Sequence, residues 1–331
     1  MQDHKQRTAA EKVQIIERFL REAHHGKMVA PCGTLDGDPV RLTGLEFPTV
    51  QEASLLGFSE PQIKLLCGRQ TFHETVFRSG EFSQAQLDFC IWHECQFEKV
   101  LFSWSSLGNN RFVGCRFTEC TFDATDCSDC VFSLAADRSE TSFHHCHFRR
   151  SAFPGAFWDR PSFVDTDFVK CRLGKSEFDG ASFVGSRFTG QYDELTFRGD
   201  GQRKPMDIDL TNADVRWLHA NHGVDLTGLR LSPIGPSLVI VKRKEAIPFI
   251  AGQLLIERAD ATAVADMLDN IYTDKSISPL SGSQDSVFVS AGLIQELDDS
   301  LTREQAEGLL QAIRQIALRG GFTVDTGGAA G

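Results

Sequence analysis

From Phe72 onward the chain places an apolar residue at every fifth position: Phe72, Phe77, Phe82, Leu87, Trp92, Phe97, Phe102, Leu107, Phe112, Phe117, Phe122, Cys127 and Phe132. An interruption at Leu134–Thr141 shifts the frame by one. The series then resumes as Phe143, Phe148, Phe153, Trp158, Phe163, Phe168, Leu173, Phe178, Phe183 and Phe188. Two residues before each of these lies a second register of mostly small side chains, such as Cys95, Ser105, Cys115, Cys120, Thr125 and Cys130. Residues two apart on an extended chain point to the same side. One large and one small residue therefore face inward together, and the remaining positions are polar. A period of five suits neither a 3.6-residue helix nor a flat alternating strand. It suits a chain that turns a corner after each short extended segment and stacks coil upon coil as a solenoid.

The composition follows from these two registers. The chain has 26 Phe against 2 Tyr, and 17 of the phenylalanines are stops on the five-residue ruler. Seven of the ten cysteines (Cys90, Cys95, Cys115, Cys120, Cys130, Cys146 and Cys171) occupy the small register. Tyrosine is costly on an inward ladder because each buried hydroxyl needs a partner. Cysteine there reads as a small apolar filler. The expected core includes Phe72, Phe77, Phe97, Phe112, Phe117, Phe122, Phe143, Phe148, Phe163, Phe168, Phe178 and Phe183.

The flanks follow other patterns. Residues 1–68 predict a helical N-terminal cap: Thr8 and Glu11 make a capping box, and Thr49/Glu52 and Ser59/Gln62 open two further short helices. Residues 69–232 form the solenoid, interrupted by an inserted loop at 189–207. Residues 233–331 predict a small α+β domain, with strands at Leu238–Val241 and Val287–Val289 and amphipathic helices over Ala261–Tyr272 and Arg303–Arg319.

The repeat resembles the pentapeptide-repeat family, whose consensus is Ala-(Asp/Asn)-Leu-x-x. Ala213-Asp214-Val215-Arg216-Trp217 comes closest, and Cys115-Arg116-Phe117-Thr118-Glu119 and Cys120-Thr121-Phe122-Asp123-Ala124 show a Phe- and Cys-rich version. The resemblance spans roughly residues 70–231. It implies a mainly β fold, a right-handed quadrilateral β-helix with four pentapeptides per coil. It also implies two further features seen in the family: end-to-end homodimers, and proteins that imitate DNA and occupy a type II topoisomerase.

Charge and motifs bear on function. The net charge of −11 disfavours direct nucleic-acid binding, which needs cations against phosphates. Residues 69–232 hold 23 acidic and 18 basic residues, so the acidity is not concentrated on the solenoid as an imitation of DNA requires. Cys127 and Cys130 have the spacing of a redox or zinc motif, but both fall on inward registers. In His144-His145-Cys146-His147 the cysteine faces inward and the histidines outward, so four ligands do not converge. No phosphate loop, nucleophile elbow or paired-His zinc motif occurs, and no cofactor, metal or catalytic residue is expected. No apolar run approaches the length of a membrane span, and the first residues lack a signal-peptide core, which predicts a cytoplasmic protein with reduced cysteines.

These observations predict a non-catalytic interaction scaffold with a protein partner. Its specificity is expected from the C-terminal domain and the 189–207 loop, where Tyr192, Asp193, Glu194, Arg198, Arg203 and Lys204 are the candidate contact residues. The alternative is a DNA mimic that binds DNA gyrase or topoisomerase IV and protects it from inhibitors such as quinolones.

Overall fold

The computed structural model describes residues 71–322 apart from 75, 79–81, 84, 86, 175, 201–203, 259–260 and 274–285, together with a short antiparallel pair, Thr34–Leu35 with Asp38–Pro39. The three helices expected before residue 69 lie outside the described residues. The fold is a mainly β, right-handed quadrilateral solenoid followed by a small α+β domain. The chain divides into two compact units, residues 1–162 and 163–331.

In the first unit, three-residue strands stack in parallel rows. One row runs Thr71–His73, Ile91–His93, Arg111–Val113, Val131–Ser133 and Phe157–Asp159, with Phe72, Trp92, Phe112, Phe132 and Trp158 in register. The next face carries Val76–Arg78, Gln96–Glu98, Arg116–Thr118 and Ser142–His144, aligning Phe77, Phe97, Phe117 and Phe143. A third aligns Phe122 with Phe148, and single bridges Ser106 to Asp126 to Ala152 mark the fourth. Four steps of five residues thus return the chain to the same face.

The three rows that carry aromatic side chains stack their rings. Phe97 and Phe117 are 4.7 Å apart at 4°, Phe117 and Phe143 are 4.7 Å apart at 5°, and Phe132 meets Trp158 at 4.0 Å. Neighbouring rows meet edge to face, as Phe117 does with Phe122 at 5.7 Å and 62°. All twelve phenylalanines named above as core are buried. Offset stacks and edge-to-face contacts are the two favourable geometries for aromatic quadrupoles, and this interior uses both.

The corners explain the period. Two residues after successive inward side chains the backbone enters the left-handed region, at Glu94 (φ 56°), Lys99 (55°), Trp104 (60°), Asn109 (58°), Gly114 (60°) and Glu119 (54°). Each non-glycine corner costs on the order of 1–2 kcal/mol. The corner amide recovers a hydrogen bond to the following coil: Glu94 donates to the Val113 carbonyl at 2.8 Å, and Lys99 to Thr118 at 2.9 Å.

The small register is more polar in action than its composition suggests. Cys115 Sγ donates to the Trp92 carbonyl at 3.2 Å, Cys120 Sγ to Phe97 at 3.2 Å, Cys130 Sγ to Leu107 at 3.0 Å and Ser151 Oγ to Phe122 at 2.7 Å. Each thiol or hydroxyl thus bonds the carbonyl of an inward-facing residue of the large register one coil earlier. The eight described cysteines are buried thiols. Burial pushes the Cys115 and Cys146 thiols upward, away from thiolate chemistry.

The frame shift has a structural origin. The coil carrying Leu134–Thr141 bulges outward, closed by Ala135 N–H to the Ser139 carbonyl and by the Asp137 carboxylate, which accepts from Ser139 N–H and Oγ. The bulge lies over Gly114, where an added Cβ would come within 2.6 Å of Ala135 Cβ.

The second unit begins with Phe163, Phe168, Phe178, Phe183 and Phe188 in the same arrangement; Phe163 stacks on Phe183 at 4.9 Å and Phe168 on Phe188 at 4.5 Å. The short strands then give way to two long ones, Ser186–Arg198 and Ile208–Asn221, paired in parallel. Next comes the α+β domain. Strands Ser237–Val241 and Ser286–Ser290 pair antiparallel, and four helices pack with them: α1 (Arg243–Glu257), α2 (Thr262–Thr273), α3 (Ala291–Leu297) and α4 (Arg303–Gly320). Ile240, Ile247, Ile250, Leu254, Leu268, Val287, Leu310 and Ile313 form its core.

Phe117→Ala removes a ring stacked on both sides and leaves a cavity the rigid coils cannot close. We expect a loss of roughly 3–5 kcal/mol in denaturant unfolding. A loss below about 1 kcal/mol contradicts the stacked interior.

Candidate interaction surfaces

The segment expected to be a loop at 189–207 is mostly strand. Ser186–Arg198 continues through it as one 13-residue strand, and this corrects the sequence reading. The ruler does not end at Phe188: after a one-residue deletion it continues through Tyr192 and Phe197. Phe197 aligns with Phe178, their rings 5.4 Å apart. Tyr192 is 3% exposed, and its ring meets Phe188 edge to face at 5.8 Å. Its hydroxyl donates to the Phe168 carbonyl at 2.7 Å, with the Thr189 carbonyl at 3.2 Å. Burial raises the phenol's pKa, so Tyr192 is a core residue and not a contact residue. Of the other candidates, Asp193, Glu194 and Arg198 are exposed. Asp193 lies 3.9 Å from Arg216, and Glu194 lies 3.6 Å from His219. Arg203 lies outside the described residues, and Lys204 is described only as part of the short strand Lys204–Pro205.

The same two long strands hold the C-terminal domain. In Ala213-Asp214-Val215, the triplet nearest the family consensus, Ala213 and Val215 are buried while Asp214 receives Arg303 of α4 through two bonds of 3.0 Å. Burial works against the Arg303 charge, but Glu307 and Asp214 outweigh it and raise its pKa. Trp217 Nε1 donates to Glu296 at 2.6 Å, and Ser290 Oγ donates to the Arg216 carbonyl at 2.6 Å while capping α3 through Leu293 N–H. Arg314 is buried and stitches the 232–237 connection to α4. Its guanidinium donates to the carbonyls of Ser232, Pro233, Gly235 and Ser237.

On the first unit, the apolar exposure at one edge is unusual. Trp104 is 62% exposed and Leu101 42% exposed. Trp104 occupies a left-handed corner, at φ 60°, where glycine or asparagine is favoured. Arg150, a corner residue on the same edge, lies 5.7 Å from the Trp104 ring. Asp123 accepts from Arg150 at 2.9 Å and has Arg149 at 3.6 Å, so two guanidinium groups share one carboxylate.

A five-residue period of inward apolar side chains, left-handed corners, and in-register parallel pairing from coil to coil together define the fold. The chain is a right-handed quadrilateral β-helix built on a pentapeptide repeat. No family model matches it, and no curated protein does. Solved structures similar to it include HetL, a pentapeptide-repeat protein involved in heterocyst differentiation regulation from the cyanobacterium Nostoc sp. strain PCC 7120. That match has 13% identity over 50% of this chain and 80% of HetL, with a TM-score of 0.29. A trypsin-treated variant of QnrB1, a plasmid-mediated fluoroquinolone resistance protein, matches at 21% identity over 49% of this chain and 81% of that one, with a TM-score of 0.22. These superpositions are partial, and the assignment rests on the repeat geometry of the chain itself.

The motifs with chemical potential are absorbed into the pentapeptide-repeat architecture. Cys127 and Cys130 are both buried in the interior. Cys146 points inward, with its thiol near the Phe117 carbonyl, while His145 and His147 are exposed. His144 is partly buried; burial first, then Arg116 and His145, lower its pKa. The His73 and His93 rings, one coil apart, lie 5.3 Å from each other and are tilted by 42°. Among the described residues no three His, Cys, Asp or Glu side chains form a metal-binding group, and no helix is long and apolar enough to cross a membrane.

Tyr192→Phe keeps the ring and removes the donor to two buried carbonyls. It is expected to cost about 1–2 kcal/mol in chemical denaturation. A neutral or stabilising effect contradicts the core placement of Tyr192.

Proposed function

We propose that this pentapeptide-repeat protein is a non-catalytic, cytoplasmic interaction scaffold whose β-helix presents a protein-docking surface centred on Trp104. The single observation that carries this reading is a large indole, mostly exposed, at a corner position that in the other coils mostly carries polar or small residues. The left-handed backbone itself is common to the corners, so it is the exposed side chain that marks the position. Leu101 widens the apolar patch. Among the described residues Asp123 is the carboxylate that faces both Arg149 and Arg150, which leaves a surplus positive charge beside the patch. Tryptophan and arginine are the residues most enriched at the energetic centres of protein interfaces. The C-terminal domain, fastened to the last coils through Asp214, Arg216 and Trp217, supplies a second, separate surface.

The DNA-mimic reading has less support. Carboxylates on the first unit face cations from neighbouring coils: Glu98 pairs with Arg78 at 2.8 Å, Glu119 with Lys99 at 3.5 Å, and Asp123 with both arginines. Exposed pairs such as these add little stability, but they neutralise the charges that would substitute for phosphates. The resistance role printed for QnrB1 is a property of that protein.

Trp104→Asn separates docking from folding. Asparagine relieves about 1 kcal/mol of left-handed strain, and losing the Arg150 contact costs about 0.5–1 kcal/mol. The melting temperature is therefore expected to stay within about 3 °C, while proteins captured by the wild-type chain from its native host are lost. Capture of the same proteins by both chains overturns the reading. In a gyrase supercoiling assay, micromolar protein is expected neither to inhibit the enzyme nor to relieve quinolone inhibition. Protection there would restore the mimic.

A further inference from the structure

Helix α1 has two apolar faces. One buries Ala246, Ile247, Ile250 and Leu254 in the domain core. The opposite face of a surface helix is ordinarily polar. Here it exposes Phe249, Leu255 and Ile256, with Ile256 77% exposed and open space over Gly252. The Phe249 ring rests on Phe322 at 5.6 Å, just past the end of α4, and remains exposed on its other side. None of the three side chains has a polar atom, so water gains nothing from meeting them.

The charges around the patch indicate what covers it. From the N-cap to the C-cap of α1, residues 242–258 hold four basic and two acidic side chains, in a chain whose net charge is −11. Lys242, Arg243 and Lys244 are consecutive at the helix start. Lys242 and Lys244 are exposed and pair with no carboxylate among the described residues, and Glu245 is exposed beside them. At the far end Glu257 is already held by Arg319 of α4, and Arg258 follows it. The face is thus apolar along its length, with positive charge in excess at both ends. Protein-binding centres favour Trp, Tyr and Arg and are poor in Lys. Phenylalanine, leucine and isoleucine flanked by lysine is instead the composition of a helix lying in a lipid interface.

We infer that the outward face of α1 attaches this chain to an anionic membrane surface. Phe249, Leu255 and Ile256 enter the boundary between headgroups and acyl chains of one leaflet. Lys242 and Lys244 lay their stems along the apolar layer and keep their ammonium groups among the headgroups. The 15 residues of α1, about 22 Å at the helical rise, lie parallel to the bilayer plane, so no spanning segment is needed. Three apolar side chains are a small anchor. Attachment is therefore reversible, comparable with a single acyl chain, and depends on negative lipid. The inference uses no part of the Trp104 surface and is independent of it.

Flotation of the full chain with vesicles tests it, comparing phosphatidylcholine containing about one-third phosphatidylserine with phosphatidylcholine alone. Half of the protein is expected to float at about 0.1 mM accessible lipid on the anionic vesicles. Binding is expected to be roughly tenfold weaker on phosphatidylcholine alone, and to weaken as salt is raised. Ile256→Glu, at an exposed position, is expected to abolish flotation with an unchanged circular dichroism spectrum. Lys242→Glu with Lys244→Glu, which leaves the apolar residues in place, is expected to weaken binding to the anionic vesicles roughly tenfold and to leave phosphatidylcholine binding unchanged. Absence of flotation with anionic vesicles overturns the inference. So does flotation that survives Ile256→Glu, or equal binding to the two vesicle types. Self-association or protein capture that Ile256→Glu abolishes, without vesicle binding, assigns the face to a protein partner and likewise overturns it.

Discussion

The stacking of one aromatic ring on the ring one coil away is the interaction on which the solenoid depends. A three-residue strand has too few hydrogen bonds and too little buried surface to be stable by itself. Its one inward ring becomes useful only when the next coil returns another ring to the same place. Phe97, Phe117 and Phe143 do this at 4.7 Å spacings. The rows also lock to each other, because a ring in one row presents its edge to the face of the next. Phenylalanine satisfies both contacts without a polar atom to partner, which is why it recurs where tyrosine almost never does.

That stacking sets terms for the backbone. Returning to the same face in four steps requires a corner after every short strand, and the corner requires a left-handed residue. The sequence does not reserve glycine for this: Glu94, Lys99, Trp104 and Glu119 all accept the strain. Two hydrogen-bond systems offset it. Corner amides reach the coil that follows, and the thiols and hydroxyls of the small register reach the carbonyl of the coil before. A cysteine in this interior is therefore both a filler that leaves room for the ring and a weak donor that ties coils together. Its reactivity is suppressed by the same burial.

Much of this was legible in the sequence, because the period of five is carried by side chains that have no other reason to recur. The inward face, the small partner register and the strand-plus-helix character of the C-terminal domain all follow from it or from ordinary amphipathic patterning. The misreadings also have physical causes. A one-residue deletion after Phe188 hid Tyr192 and Phe197 from the ruler, so a strand was read as a loop and a core tyrosine as a contact residue. The satisfying partners of that hydroxyl, the Phe168 and Thr189 carbonyls, are created only by folding. Helix α1 escaped notice because apolar residues on both faces erase the amphipathic signal. The docking role of Asp214 depends on Arg303, which is distant in sequence. The exposed Trp104 sits in an otherwise ordinary polar pentapeptide position, and its exposure and its neighbours, not its backbone conformation, set it apart.

The central claim is that direct ring-on-ring contact between successive coils holds the solenoid together. A double-mutant cycle on Phe97→Leu and Phe117→Leu measures that contact most directly, since the rings stack at 4.7 Å and 4°. A favourable coupling of about 0.5–1.5 kcal/mol is expected for this pair, with almost none between Phe77→Leu and Phe117→Leu, which lie two coils apart. Additivity within about 0.3 kcal/mol for Phe97 and Phe117 would contradict the claim and leave general hydrophobic burial as the source of stability.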